Sequence, residues 1–198
     1  MSMNRDYSAY FAFFQKIHRR KTGKIIISVF FFFFLIWFLL QILAPIFLPS
    51  GSVTNLTGVV GSIDNTDHLD QMPSPWSTIY TIGDQLCHQH KERSFFINGN
   101  QMPFCSRCTA IWLGIVLGLG IMLFYCFELT ERFIVLILLC LIPIGIDGFG
   151  QLFGFWESIN LIRFMTGLLA GLICGVAFGV IFDEIQGLLT RKNKKDLK

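Results

Sequence analysis

Four apolar segments constrain the fold of this chain more than any other feature. Each is free of charged residues and close to the roughly 20 residues that an α-helix needs to cross a bilayer core of about 30 Å. The four segments are Ile25–Leu48, Thr109–Phe127, Phe133–Ile146 and Phe164–Phe182. The third is short, but could reach the membrane interface by continuing through Phe149. Because 53% of the 198 residues are hydrophobic, the composition excludes an ordinary soluble domain. We predict an all-α integral membrane protein with four transmembrane helices.

The basic residues indicate how these helices are oriented. Lysine and arginine are concentrated in residues 1–24 and 183–198, whereas residues 49–86 contain neither. By the positive-inside rule, both termini lie in the cytoplasm, at 1–24 and 183–198. Residues 25–48 then form the first helix, 49–108 an extracytoplasmic loop, and 109–182 a three-helix membrane domain. The protein is expected in the cell membrane as a multi-pass protein. The first apolar segment is too long for a signal peptide and should remain as an anchor.

The net charge of +3 arises largely from the two basic flanks. No nucleic-acid binding is expected, because these residues lack interleaved aromatic residues and a recognisable nucleic-acid-binding motif. The expected partners of the flanks are membrane lipids with anionic headgroups.

The predicted outer loop concentrates metal-ligating and redox-active residues. It contains Cys87-His88-Gln89-His90 and, further on, Cys105-Ser106-Arg107-Cys108. Structural zinc is typically held by four cysteine or histidine ligands in tetrahedral array. We therefore predict a Zn²⁺ site with the ligands Cys87, His88, Cys105 and Cys108. His90 is a reasonable alternative to His88, because adjacent Cys and His side chains rarely face one ion.

The same cysteines also fit thiol–disulfide chemistry. Thiols outside the cytoplasm tend to be oxidised, and Cys105 and Cys108 flank the start of a predicted helix, whose dipole favours thiolate. A redox-active pair, with Cys87 as exchange partner and a membrane quinone as electron acceptor, is the second hypothesis. Disulfide-forming oxidases share this architecture of four helices and cysteine pairs. A structural disulfide from Cys87 to Cys105 or Cys108 is a third interpretation.

Polar residues lie around the end of the predicted third helix, and the predicted topology places them on the same side of the membrane as the cysteine cluster. Asp147 and Gln151 lie four residues apart, and Asn160 and Arg163 lie three apart where the fourth helix begins. Ionisable groups at membrane depth are costly and are usually functional or paired. These four residues are candidates for a catalytic or anion-binding pocket, which Arg93, Gln101 and Arg107 could join. The structural alternative is an Asp147–Arg163 ion pair that ties two helix ends together.

Glycines recur at every fourth position of the last apolar segment, and two more lie on the second. They are Gly167, Gly171, Gly175 and Gly179, with Gly114 and Gly118. Such a row lets another helix approach closely. We expect close packing within the chain; a homodimer or another membrane protein bound through these glycines is the alternative. A non-enzymatic scaffold or binding subunit is accordingly a third functional class.

The order of these motifs resembles a prokaryotic membrane-protein family, domain of unknown function 2085 (DUF2085). The resemblance covers roughly residues 80–175 and rests on Cys87-His88-Gln89, Glu92-Arg93-Ser94-Phe95, Gln101-x-Pro103, Cys105-x-Arg107-Cys108-Thr109, Gly114, Pro143, Ile146-Asp147-Gly148, Gln151, Ser158, Asn160, Arg163 and Thr166-Gly167. It implies that these residues form one site, with His88 rather than His90 as the working imidazole. Ser106 and Ala110 stand where the family pattern often has Ala and Gly. The resemblance implies no substrate.

Overall fold

The computed structural model describes residues 24–196, with side chains through residue 185. The element order is α1 (Lys24–Phe47), α2 (Thr66–Leu69), α3 (Trp76–Leu86), a 3₁₀ turn (Lys91–Arg93), β1 (Ser94–Ile97), β2 (Asn100–Cys105), α4 (Ser106–Phe124), α5 (Glu131–Leu152) and α6 (Asn160–Asp196). In this part of the chain, four helices are long and apolar enough to cross a membrane: α1, α4, α5 and residues Asn160–Ile185 of α6. The predicted set of four membrane helices is confirmed. Most of the basic flanks, residues 1–23 and the side chains beyond 185, lie outside the described residues.

Helices α4 and α6 form the centre of the membrane region and run parallel. A Cβ added at Gly167 would lie 2.6 Å from the carbonyl oxygen of Arg107, and one at Gly171 only 2.2 Å from that of Ile111. Gly175 approaches Ile115 in the same way, one turn further along both helices. The predicted close packing of the glycine row within the chain is therefore confirmed. A homodimer through these glycines would first have to separate α4 from α6.

The outer helices pack against this central pair. Phe34 of α1 stacks on Trp112 of α4, and Phe30 stacks on Phe182 of α6. Helix α5 begins at the N-cap Thr130, whose hydroxyl accepts a hydrogen bond from the backbone N–H of Phe133. One end of the bundle therefore contains four helix ends. These are the C-terminal ends of α1 and α5 and the N-terminal ends of α4 and α6.

Residues 94–105 form an antiparallel β-hairpin, not the helical or turn structure expected of an all-α protein. Its strands pair Ser94 with Cys105 and Ile97 with Asn100. Every residue of β2 before Cys105 is buried, so the strand shows no alternation of polar and apolar residues that would reveal it in the sequence. The all-α prediction is wrong here, because packing under α1 and α3 makes an extended conformation favourable.

The hairpin belongs to a small polar-and-apolar cap over one end of the helix bundle. Its apolar core is formed by side chains from the end of α1, the following loop, α2 and α3: Ala44, Leu48, Val53, Leu56, Leu69, Ile79 and Tyr80. The Tyr80 hydroxyl is fully buried and donates a 2.6 Å hydrogen bond to the carbonyl of Gln101. The cap thereby fixes α3 and β2 relative to each other, and these two elements end at Leu86 and Cys105.

Candidate metal centre

Three thiols meet where the cap joins the membrane helices. Cys87 follows α3, Cys105 ends β2, and Cys108 lies in the first turn of α4. Their Sγ atoms all lie within 4.8 Å of one another. The Cys105 backbone N–H points to the Cys87 sulfur at 3.3 Å. The structure therefore brings together all three cysteines that the sequence analysis selected.

The thiols influence each other's protonation. Hydrogen bonds from the Cys108 and Cys87 thiols hold the pKa of Cys105 well below its usual range. The hydrogen bond from Cys87 to Cys105 raises the pKa of Cys87 to about 11. The cluster thus stabilises at least one thiolate, the form of cysteine that binds metals and attacks disulfides. The structure has no disulfide between Cys87, Cys105 and Cys108, so all three are present as thiols.

The histidines occupy a different position from the thiols. His88 is exposed and His90 half-buried, and their rings stack at a centroid distance of 6.0 Å. Neither imidazole belongs to the group of ligand atoms that the three sulfurs form. The role of His88 as a fourth metal ligand therefore stays a prediction.

A network of buried amides and one carboxylate holds Cys87 against Cys105. Gln89 donates a 2.8 Å hydrogen bond to the carbonyl of Pro103, and its own carbonyl accepts one from the side chain of Gln101. Asn65 contacts Gln89 and also donates a 2.6 Å hydrogen bond to the fully buried carboxylate of Asp84. Gln101, a candidate for the pocket on sequence grounds, is therefore a structural residue of the cap.

The polar residues of α5 and α6 form a second network beside the thiols. Gln151 donates a 2.8 Å hydrogen bond to the carbonyl of Asp147 and accepts one of 3.0 Å from the Arg163 guanidinium. Arg163 also donates to Asn160, whose side-chain oxygen accepts a 3.1 Å hydrogen bond from Ser106. The four predicted pocket residues are thus connected, and Ser106 links them to the segment between Cys105 and Cys108.

The ion pair of this network differs from the predicted one. Asp147 pairs with Arg107, while Arg163 is held by the neutral side chains of Gln151 and Asn160. The rotation and register of α4 bring Arg107, and not Arg163, into contact with the carboxylate. The interpretation of an Asp147–Arg163 ion pair is therefore wrong. Arg93, the remaining arginine proposed for the pocket, has an exposed side chain.

Removal of one partner of the Arg107–Asp147 pair is expected to lower the free energy of unfolding more than removal of both partners. Asp147 is 4% exposed, so Arg107→Met leaves a buried carboxylate without a cation. We expect a loss of about 2 kcal/mol in the free energy of unfolding, reduced from the value for a fully buried pair because Arg107 is 25% exposed. The double variant Arg107→Met/Asp147→Leu should recover most of this loss in SDS titrations of detergent-solubilised protein. A double variant less stable than Arg107→Met would contradict this view of the pair.

Sequence reasoning missed three residues that organise the site. Asp84 and Asn65 belong to no motif, Ser106 is only the unassigned second position of Cys105-Ser106-Arg107-Cys108, and each acts through a partner distant in the chain. Gln89 offered a weak indication, since it lies directly between the two histidines; the structure gives it a positive φ of 47°. Such roles depend on contacts that no local pattern encodes.

The comparisons with known proteins identify the family of this chain. The family described as predicted membrane protein, DUF2085, matches residues 87–177, which include the three thiols and the Asp147–Arg163 network. An uncharacterised protein of Methanocaldococcus jannaschii is 34% identical over 156 residues, covering 77% of this chain and 89% of that protein. One of Methanothermobacter thermautotrophicus is 44% identical over 86 residues, covering 43% and 78%. No solved structure matches. The chain belongs to the DUF2085 family of membrane proteins.

Proposed function

We propose that this protein is a metal-binding membrane protein in which Cys87, Cys105 and Cys108 hold a zinc ion. The observation that carries the proposal is the meeting of three sulfurs from three elements within 4.8 Å. Thiolates on one tetrahedral zinc ion lie about 3.8 Å apart, given Zn–S bonds of about 2.3 Å. The cluster therefore needs only small side-chain adjustments to close on an ion.

The charges of the neighbouring residues support a metal over a disulfide. Arg163 is 6% exposed and, within the described part of the chain, forms no ion pair; its hydrogen bonds go to neutral amides. A divalent ion with three thiolates carries a net charge of −1, which would compensate this guanidinium. A disulfide with one neutral thiol carries no charge and would leave the buried cation uncompensated, at a cost in free energy.

We propose that the metal site lies on the outer side of the membrane. With both termini in the cytoplasm, as the basic flanks predict, the cap and its thiols face the outside of the cell membrane. The site is then a metal centre at the outer surface, beside the polar network of Asp147, Gln151, Asn160 and Arg163. Membrane lipids are its expected surroundings.

The second candidate function is a thiol–disulfide oxidoreductase that passes electrons to a membrane quinone. The lowered pKa of Cys105 and the neighbouring Cys87 and Cys108 thiols favour this chemistry. In that case a substrate dithiol reduces a disulfide formed within the cluster and is itself oxidised to a disulfide, and the resulting cluster dithiol, with Cys105 as thiolate, is reoxidised by transfer of two electrons and two protons to the quinone.

Metal content and thiol titration of the same detergent-purified protein separate the two functions. We expect about one zinc per chain in the wild type and a loss of nearly all of it in Cys105→Ser, because two thiolates hold zinc far less tightly than three. Cys140→Ser is the matched control, since Cys140 lies within α5 outside the cluster, and it should retain the metal. A metal-free wild type in which two of the cluster thiols react only after reduction would instead select the oxidoreductase.

A further inference from the structure

Three sulfurs would leave one coordination position of a bound zinc ion without a protein ligand. Zinc in proteins is usually four-coordinate, and sites with three protein ligands carry water or substrate in the fourth position. In the described residues, the group of mutually close ligand atoms consists of the Cys87, Cys105 and Cys108 sulfurs alone. The question is what occupies the remaining position.

The backbone around His88 directs its side chain away from the thiols. Cys87 has an extended conformation, with φ −143° and ψ 147°, and neighbouring side chains on extended backbone point to opposite sides. Accordingly Cys87 is buried and His88 exposed. The His88 carbonyl accepts a 3.0 Å hydrogen bond from Gly58, and the next side chain, Gln89, is buried and bonded to Pro103. The chain is therefore fixed on both sides of His88.

Two buried polar atoms of the Arg107–Asp147 pair have no hydrogen-bond partner within the described region. One is Oδ1 of Asp147, a side chain that is 4% exposed; the other is Nε of Arg107. Arg107 lies between Cys105 and Cys108 in the first turn of α4, and its guanidinium pairs with the other oxygen of Asp147. Buried polar groups are rarely left unpaired, so an acceptor and a donor at this place indicate a ligand with polar atoms.

We propose that the metal ion carries an exchangeable water as its fourth ligand, hydrogen-bonded to Oδ1 of Asp147. This inference rests on the proposed metal site and specifies that the site is open. Small anions that bind metals in place of water should therefore bind there. Asp147 opposes them, because its negative charge lies beside the incoming ligand and because it stabilises the water that they displace.

Replacement of zinc by Co²⁺ provides the test, since the visible absorption of Co²⁺ changes when one of its ligands is exchanged. Azide is titrated into the Co²⁺ form of the full-length protein in detergent. We expect a saturable spectral change in the wild type and the same Co²⁺ stoichiometry and starting spectrum in His88→Ala. Asp147→Asn should bind azide about fivefold more tightly, as expected for the loss of one nearby charge. Asp183→Asn, a buried carboxylate far along α6, is the control and should bind azide as the wild type does.

The possible results separate this inference from the proposed function. A Co²⁺ spectrum that azide leaves unchanged, together with an altered spectrum in His88→Ala, would make His88 the fourth ligand. The proposed metal site would then be supported, and the proposed exchangeable water would be contradicted. Equal azide affinity in Asp147→Asn and wild type would remove Asp147 from the site of exchange and overturn the inference as stated. Protein that binds no Co²⁺ would overturn both proposals.

Discussion

Gln101→Leu should lower the free energy of unfolding by about 3 kcal/mol. The Gln101 side chain is fully buried and accepts a 3.0 Å hydrogen bond from the backbone N–H of Leu56 while donating to the carbonyl of Gln89. Leucine removes both bonds and leaves these two backbone groups buried and unpaired, at about 1–3 kcal/mol each. Thermal or SDS-induced unfolding of the purified protein in detergent measures the loss.

The same variant should also weaken the proposed metal site. Gln101 holds Gln89, and Gln89 positions the neighbouring Cys87 relative to β2. Zinc affinity, measured by competition with a chelator, should fall in Gln101→Leu. Gln85→Leu changes the same residue type at an exposed position of α3 and should change stability by no more than about 0.5 kcal/mol. If both variants unfold at the same denaturant concentration, Gln101 does not organise the cap.

Gly171→Ala is expected to destabilise the membrane helices by about 2–3 kcal/mol. The added Cβ would lie 2.2 Å from the backbone oxygen of Ile111 and 2.8 Å from its Cα. Because these are backbone atoms, no side chain can rotate away, and α4 and α6 must separate. The loss is a net value, since alanine is the better helix former by about 1 kcal/mol.

Gly145→Ala provides the matched comparison for Gly171→Ala. Gly145 lies within α5, and a Cβ there meets no atom within 4 Å. Its substitution should therefore leave stability unchanged or raise it by up to about 1 kcal/mol. Unfolding by SDS titration in mixed micelles compares the two variants directly. Similar effects at both positions would show that α4 and α6 do not depend on their close contact.

These predictions connect the packing of the bundle with the chemistry at its end. The parallel contact of α4 and α6 sets where Ser106 meets Asn160, and the neighbouring Arg107 of α4 pairs with Asp147 of α5. Separation of the two helices should therefore disturb the polar network as well as the fold. The cap has the corresponding role on the other side, since it fixes Cys87 against Cys105.

The membrane helices and the metal-ligating residues could be predicted from local sequence. An uncharged run of about 20 apolar residues has few alternatives to a membrane helix, because a bilayer offers the backbone no hydrogen-bond partners. Cysteines in a C-x-x-C pattern are likewise recognisable wherever they fold. The glycine row of α6 similarly indicated a close helix contact before its partner was known.

Tertiary structure alone decided the hairpin, the ion pair and the position of His88. Strand β2 is buried on both faces, so its sequence lacks the alternation that identifies a strand. Whether Asp147 meets Arg107 or Arg163 depends on the rotation of three helices about their axes, and the glycine contacts fix this rotation only between α4 and α6. His88 follows a metal-ligand candidate in sequence, yet extended backbone turns it to the opposite side. For the hairpin and the ion pair, the deciding contacts join residues far apart in the chain, and their energy is absent from any local window of sequence.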